Sequence, residues 1–464
     1  MMEDMARRKR GLLGVCSALA LLTIGAAGTA KAEPSVFPTG TTIYDPAKAY
    51  NSYVFFSGGD NISRLVDLNG NVVHQWNYAG FPSVFIDPAL TGGKPGHVLL
   101  ALETSQGRGT DVVPGRVNGR INKTVGELDW DGATVWKFGE KAPDGLAQQH
   151  HDIARLPNGD TLVLVNAVHP VPGFTQPRVL DDVVYVVNPA GDIVWTWTAS
   201  EHLEEFGFTP DELKLVRAAK ADYLHINNLK PVGPNHWFDS GDKRFAPDNL
   251  IFNSRNANFT AIIDRKTGKI VWTLGPHYPA IVENGAARTL PRPVDQISGQ
   301  HDGQIIPVGL PGAGNLLVFD NQGEGGYPAA TLSVTGGSRV LEIDPVKKEI
   351  VWEYTAQNSG GPGWSFRSTH ISAARRLPNG NTFVDEGQIG RFFQITPKGE
   401  IVWEYLNPYP LKGKDPITGQ ATVNYSVYRG QPVPYDWAPA GTPHAEKAVV
   451  APDNTAFHIP AKAD

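Results

Sequence analysis

Four histidines occupy one phase of a recurring phrase. His151, His225 and His301 each stand six residues before a proline (Pro157, Pro231, Pro307), and His370 stands eight before Pro378. Equal phase within a repeated unit means equal position in space, so these imidazoles are expected to ring one level of a shared cavity. For any single histidine, packing against a neighbouring backbone is the commoner role. Four in phase weigh against that role, because the first and last units carry none there; His74 and His97 fall at other phases, and the rest, His150 included, read as structural or exposed. Clustered imidazoles serve two chemistries. One is metal binding, although no carboxylate recurs beside all four, and only Asp152 and Asp302 directly follow one. The other is transfer of a group through a nucleophilic ring, with a second histidine as acid or base. An anionic group would need cationic support. Arg339, which follows Gly337-Ser338, is the first candidate for it, and Arg255 and Arg367 are weaker ones.

The elements that must position these residues repeat as well. A turn, a β-branched run and a tryptophan recur six times, at Trp76, Trp136, Trp195, Trp272, Trp352 and Trp403, spaced by 60, 59, 77, 80 and 51 residues. A second phrase recurs beside it, as Leu156-Pro157-Asn158-Gly159-Asp160 and Leu377-Pro378-Asn379-Gly380-Asn381, whose Asn-Gly pairs are hairpin turns. Six such units predict an all-β, six-bladed β-propeller over residues 50–440 with a site in its central channel. Residues 33–49 read as a short extended N-terminal arm, the Pro/Tyr-rich stretch 405–440 as a segment that closes the ring or covers one mouth, and 441–464 as a frayed polar tail. The clearest helix is Thr209 to Ala221, with Thr209 as its cap and Pro210 in its first turn.

Residues 1–32 read as a signal peptide: Arg7-Arg8-Lys9-Arg10, a Gly/Ala-rich apolar stretch, and Ala30-Lys31-Ala32 at the cleavage site. The residues after Arg7-Arg8 fit the general secretory route better than the twin-arginine one. No membrane anchor is expected after cleavage, and the protein is expected to be periplasmic or secreted. The leader holds five basic and two acidic residues, so its removal takes the formal charge from −6 to −9 and leaves 432 of 464 residues. With no basic block, nucleic acid is not an expected partner. Cys16 is the sole cysteine and departs with the leader, leaving no disulfide and no thiol nucleophile.

Several phrases resemble a known family. Leu224-His225-Ile226-Asn227, Asn253-Ser254-Arg255-Asn256, Gln300-His301-Asp302, Phe319-Asp320-Asn321, Ser338-Arg339 and Thr369-His370 occur in an order similar to that of the bacterial arylsulfate sulfotransferases, over roughly residues 50 to 440. The resemblance implies sulfuryl transfer from a phenolic sulfate ester to a phenolic acceptor, without a nucleotide donor; no cofactor is expected, and no metal ligands are assigned. It implies His370 as nucleophile, with His225, His301 and Arg339 binding the sulfuryl oxygens and one histidine handling the phenol proton. His151, Asn227, Arg255 and Arg367 are expected to bind substrate. The sequence departs from enteric members, which carry a larger N-terminal domain and a disulfide. That leaves a monomer and a homodimer both open. Gly303 stands two residues past His301, where a polar side chain would aid donor binding.

Two other readings compete. The phrase Thr267-Gly268-Lys269-Ile270-Val271-Trp272 is also similar to the tryptophan-docking phrase of quinoprotein dehydrogenases, which have eight blades. A non-catalytic binding propeller is the third reading, but it gives no reason for an arginine among phased histidines.

Overall fold

The structure is a computed structural model that describes residues 39–105, 121–279, 290–330, 333–415 and 418–451. The expected leader, the first part of the arm and the end of the tail lie outside the described residues. The fold is all-β and propeller-like, built from antiparallel sheets. Its simplest unit is the four-stranded sheet Ile226–Pro231, Leu250–Ser254, Phe259–Ile263 and Ile270–Leu274, in which sequence neighbours pair in order. The next sheet repeats that order over His301–Ile305, Leu316–Asp320, Arg339–Asp344 and Glu349–Tyr354, with Arg292–Pro293 added at its outer edge. An eight-stranded sheet spans Val84–Phe85 to Ile193–Thr198, and its two halves meet only at the Asn122–Gln149 pair.

Local chemistry explains the hairpins. Before Trp272, Asp264 Oδ1 accepts the backbone N–H groups of Lys266 and Thr267, and Gly268 turns with φ 74. Asp344 makes the same bonds to Val346 and Lys347. There the left-handed position falls on Lys348 at φ 56, a conformation that costs a non-glycine residue about 1 kcal/mol.

The tryptophans tie the sheets together. Trp76, Trp136, Trp197, Trp272, Trp352 and Trp403 donate their indole N–H groups to the carbonyls of Asp129, Asn188, Gly268, Pro345, Pro397 and Leu68. Each acceptor lies in a turn of the following unit, and the last bond returns to the first unit, so the chain is a closed circuit. In one unit the donor is not the expected Trp195 but Trp197, two residues along the same strand face. Trp197 is buried, whereas Trp195 only packs partly against the core.

Both chain ends lock this circuit. Gln431–Val433 pairs with Tyr53–Ser57 to supply the first strand of the first sheet. Gly40–Tyr44, within the expected arm, pairs with Ile401–Leu406 as a fifth strand of the last. The tail is not frayed over its described part: Tyr44 and Val449 form a bridge, and Asn69 exchanges two hydrogen bonds with Lys447. The helix Pro210–Ala218 carries the expected Thr209 cap, reciprocated by Glu212, and ends three residues short of Ala221.

The apolar core lies between adjacent sheets rather than on the axis. One cluster joins Leu162, Val184 and Trp197 to Leu229, Phe252 and Phe259, and another joins Ile251 and Ile262 to Leu316 and Leu341. The first strands of successive sheets meet through polar groups instead. Asp152 Oδ2 accepts the Leu229 N–H, Asn228 Nδ2 donates to the Gly303 carbonyl, and Asp302 Oδ2 accepts the Ala374 N–H. A polar inner wall leaves the channel suited to charged chemistry.

Candidate active site

The backbone turns sharply where the first strands begin. His151 has φ 49 and His225 φ 54, while Asp302 (φ 58) and Ile371 and Ser372 (φ 57 and 96) hold the same role beside His301 and His370. Left-handed conformations at non-glycine residues cost on the order of 1–3 kcal/mol each and gather at functional sites. The two extra residues before Pro378 change the outcome at His370. Its strand begins at Ala373, so His370 sits in the preceding loop and is exposed.

Three of the four histidines are plainly brought together. The His151 and His225 rings meet edge to face with centroids 4.6 Å apart. His301 feels the charges of His225, Arg255 and Arg429. His370 is joined to this group through its own loop, because the Ile371 N–H donates to His301 Nε2 at 3.1 Å.

The four rings differ in what their nitrogens do. His301 has both engaged: Nε2 accepts from Ile371, and Nδ1 lies 2.7 Å from Asn321 Oδ1 and 3.0 Å from the Gly299 carbonyl. His151 Nδ1 pairs with His150 Nδ1 at 2.7 Å, and His150 Nε2 lies 3.3 Å from Asp182, so His150 belongs to the site rather than to the general packing. His225 Nδ1 is 2.6 Å from Asp222 Oδ2. His370 makes only a long 3.4 Å contact to Thr369 Oγ1 among the described residues. Partial loss of water around the ring, which is exposed but enclosed by its surroundings on one side, and Arg255 nearby hold His370 below the ordinary histidine range, which favours the neutral, nucleophilic ring.

Arg339 does not join the group, and the expectation that it binds sulfuryl oxygens is corrected. It is fully buried, with Nε 2.7 Å from Asp320, Nη1 2.7 Å from Asp295 and 3.1 Å from Glu353, and Nη2 donating to the Gln296 carbonyl. Three carboxylates satisfy this guanidinium and leave no fork for a substrate. Arg255 is the guanidinium whose charge reaches His301 and His370. With Arg367 and Thr369 it lines a cavity of about 480 Å³, which also holds Gln322, Ser298 and the opposing carboxylate of Glu324. Asn227 is fully buried; its side chain donates to the Gln300 carbonyl, which makes it a brace between first strands.

Two residues of the closing segment escaped the sequence reading. Arg429 sits between Asp152 (3.0 Å) and Asp302 (3.3 Å), and Tyr428 donates to the Asn227 carbonyl while its ring packs on Phe81. Their only sequence signal was membership of the stretch expected to close the ring. A second cavity, of about 240 Å³, lies against His370 and is walled by Phe81, Pro82, Leu411 and Tyr428. The cavity at His370 thus combines aromatic and apolar walls with Arg429, and the cavity at Thr369 carries Arg255 and Arg367.

Burial holds His301 well below the usual histidine range, with Arg255 adding to it. The unfolded chain then takes up a proton below about pH 6.5 that the folded chain refuses, so this histidine's contribution to stability is lost as pH falls. Other buried groups shift in the opposite direction, Asp182 and Asp385 among them, so the difference between two variants isolates the effect. The gap in melting temperature between the unaltered protein and His301→Asn is expected to narrow between about pH 7 and about pH 5.

Among the described residues no group of three or more His, Cys, Asp or Glu side chains is arranged to hold a metal ion, and no helix is long and apolar enough to cross a membrane. Comparison with solved structures finds distant likenesses. A protein of unknown function from Bacteroides caccae is 12% identical, covering 83% of this chain and 99% of its own, with a TM-score of 0.46. A streptogramin B lyase structure is 14% identical over 85% of this chain and 92% of its own, with a TM-score of 0.38. The Dos1 propeller is 11% identical over 82% and 78%, with a TM-score of 0.33. No curated protein matches the chain. The model of one family, Arylsulfotransferase (ASST), matches residues 65–416, most of the chain. The chain therefore belongs to the arylsulfotransferase family, and its general activity is that of a sulfotransferase acting on phenolic substrates.

Proposed function

We propose that this protein moves a sulfuryl group from a phenolic sulfate ester to a phenolic acceptor through a sulfated His370, without a nucleotide donor. The observation that carries the reading is the contrast among the in-phase histidines: His370 alone is exposed at a cavity with its ring nitrogens unclaimed by a close partner. In the first half-reaction a His370 nitrogen forms a bond to sulfur as the sulfur–oxygen ester bond breaks. The electron pair leaves on the phenol oxygen, which takes a proton. In the second half-reaction an acceptor phenol gives up its proton, its oxygen bonds to sulfur, and the pair returns to His370. Such transfers have loose transition states with charge on the peripheral oxygens, by analogy with phosphoryl transfer, so positioning and cationic donors supply most of the rate. Arg255 is the cation for that role. The ring of the phenol fits the cavity walled by Phe81 and Tyr428.

The architecture belonging to this reading is six-bladed. The six indole bonds support it, as does the single pair that joins the two halves of the eight-stranded sheet. The basic, then apolar, then small-residue pattern of residues 1–32 is the support for export.

The test is 4-nitrophenyl sulfate with and without phenol. Nitrophenolate released in multiple turnovers only when phenol is present is the expected result, and donor alone should add one sulfuryl mass to the peptide carrying His370. Steady release without phenol, and no adduct, would mean hydrolysis and would overturn the proposal.

A further inference from the structure

The transfer just described needs one group to give a proton to the departing phenol and take it back from the acceptor. Resting on that reading, we infer that Asp222 is a positioning residue that makes His225, rather than His301 or His151, this acid and base.

The assignment follows from which nitrogen atoms are already occupied. Asn321 Nδ2 donates to the carbonyls of Ser368 and Ile371, at 2.6 and 2.7 Å, which fixes its amide orientation and leaves Oδ1 as an acceptor. His301 Nδ1 lies 2.7 Å from that oxygen and must carry the hydrogen. Its Nε2 then receives the Ile371 N–H. Both sides of the ring are used by backbone and amide groups, so His301 can neither give nor take a proton without breaking the loop that carries His370. His151 is paired through Nδ1 to His150, and its ring stands as a wall beside His225.

His225 differs. A carboxylate only accepts, so the 2.6 Å contact to Asp222 Oδ2 places a hydrogen on Nδ1 and leaves Nε2 as the working nitrogen. The ring is 24% exposed, and its backbone is pinned because its carbonyl accepts the Arg255 N–H at 3.1 Å. Asp222 is pinned in turn by the Asn256 Nδ2 bond to its own carbonyl. Burial alone would raise the Asp222 carboxyl, but His225 beside it brings it down to about 2, so it stays ionised at any working pH. The cycle balances: His225 Nε2–H passes to the leaving phenolate oxygen as the nitrogen–sulfur bond forms. The acceptor's O–H proton returns to Nε2 as that bond breaks. The ring therefore carries both hydrogens, and a positive charge that the Asp222 carboxylate offsets, before the first transfer and after the second, and is neutral while the sulfuryl group sits on His370.

A general acid matters most when the leaving phenolate is basic. Removing the carboxylate should therefore slow poor leaving groups and spare good ones, a pattern that lost packing would not produce. In the full chain, Asp222→Asn is expected to lower kcat/KM for phenyl sulfate by about 100-fold or more, yet for 4-nitrophenyl sulfate by less than about 10-fold. Asp222→Glu should recover part of the phenyl sulfate loss. Equal slowing of both donors, or no slowing of either, would overturn the assignment. Should Asp222→Asn fail to fold, Asp222→Glu carries the same comparison against the unaltered protein, since it keeps the charge and shifts it. The donor-only mass adduct of the unaltered protein separates the two proposals. If the adduct is absent, the sulfated-histidine reading fails. If it is present with equal slowing, only the role of Asp222 fails.

Discussion

Replacing His370 by alanine is expected to lower transfer by on the order of 10⁴-fold or more and to remove the donor-only adduct, while barely changing the melting temperature. The two halves of this expectation have separate causes. Losing a nucleophile removes the covalent path altogether, and the remaining donors can only polarise a donor that nothing attacks. Stability should hold because the side chain lies exposed in a loop, with one long contact among the described residues. Substitutions of that kind usually move stability by less than about 0.5 kcal/mol. Thermal melts beside the phenol-dependent assay check both halves. A large drop in melting temperature with parallel loss of activity would assign His370 to packing.

The reverse pattern is expected for Arg339→Met. This guanidinium is 0% exposed and holds Asp320, Asp295 and Glu353. Removing it leaves three carboxylates with no cation at their centre. Breaking a buried charge network by deleting one partner costs about 3–5 kcal/mol. The folded fraction that survives should keep its KM for the donor, because the arginine faces carboxylates and not the cavities. Arg339→Lys should also destabilise, since a point charge cannot replace the fork that meets three acids at once. A variant with unchanged melting temperature and a raised donor KM would return Arg339 to the substrate side. The contrast with His370 separates chemistry from scaffold by a simple pair of readouts.

The same logic explains why the axis can host the reaction at all. Apolar burial is spent between sheets, so the channel is lined by what remains: buried carboxylates, amides and their cations. Arg429 stands between Asp152 and Asp302 with its charge paired, and it also lines the cavity at His370. That pairing lets two acids lie buried at the axis beside a site meant to hold an anion.

Several features were determined by the sequence alone, because they depend on short-range spacing. The Asn-Gly turns and the Thr209 cap arise from bonds within a few residues, and the tryptophan period is a repeated local phrase, so a linear reading finds all three. The phase of His151, His225 and His301 was legible for the same reason: a repeated unit returns a residue to the same level. Tertiary structure decided the rest. Trp195 and Trp197 lie on one strand face, and only the reach of the next sheet selects Trp197 as the donor. Arg339 reads as a substrate ligand from its glycine-rich approach, yet acids from strands and loops up to 44 residues away surround it. Arg429 and Tyr428 enter the channel because ring closure returns the C-terminal segment to the first sheet, where Val433 pairs with Tyr53. The division of labour among equivalent histidines has the same origin. Spacing makes His151, His225 and His301 alike and sets His370 two residues apart, and the partners brought by neighbouring loops divide them further.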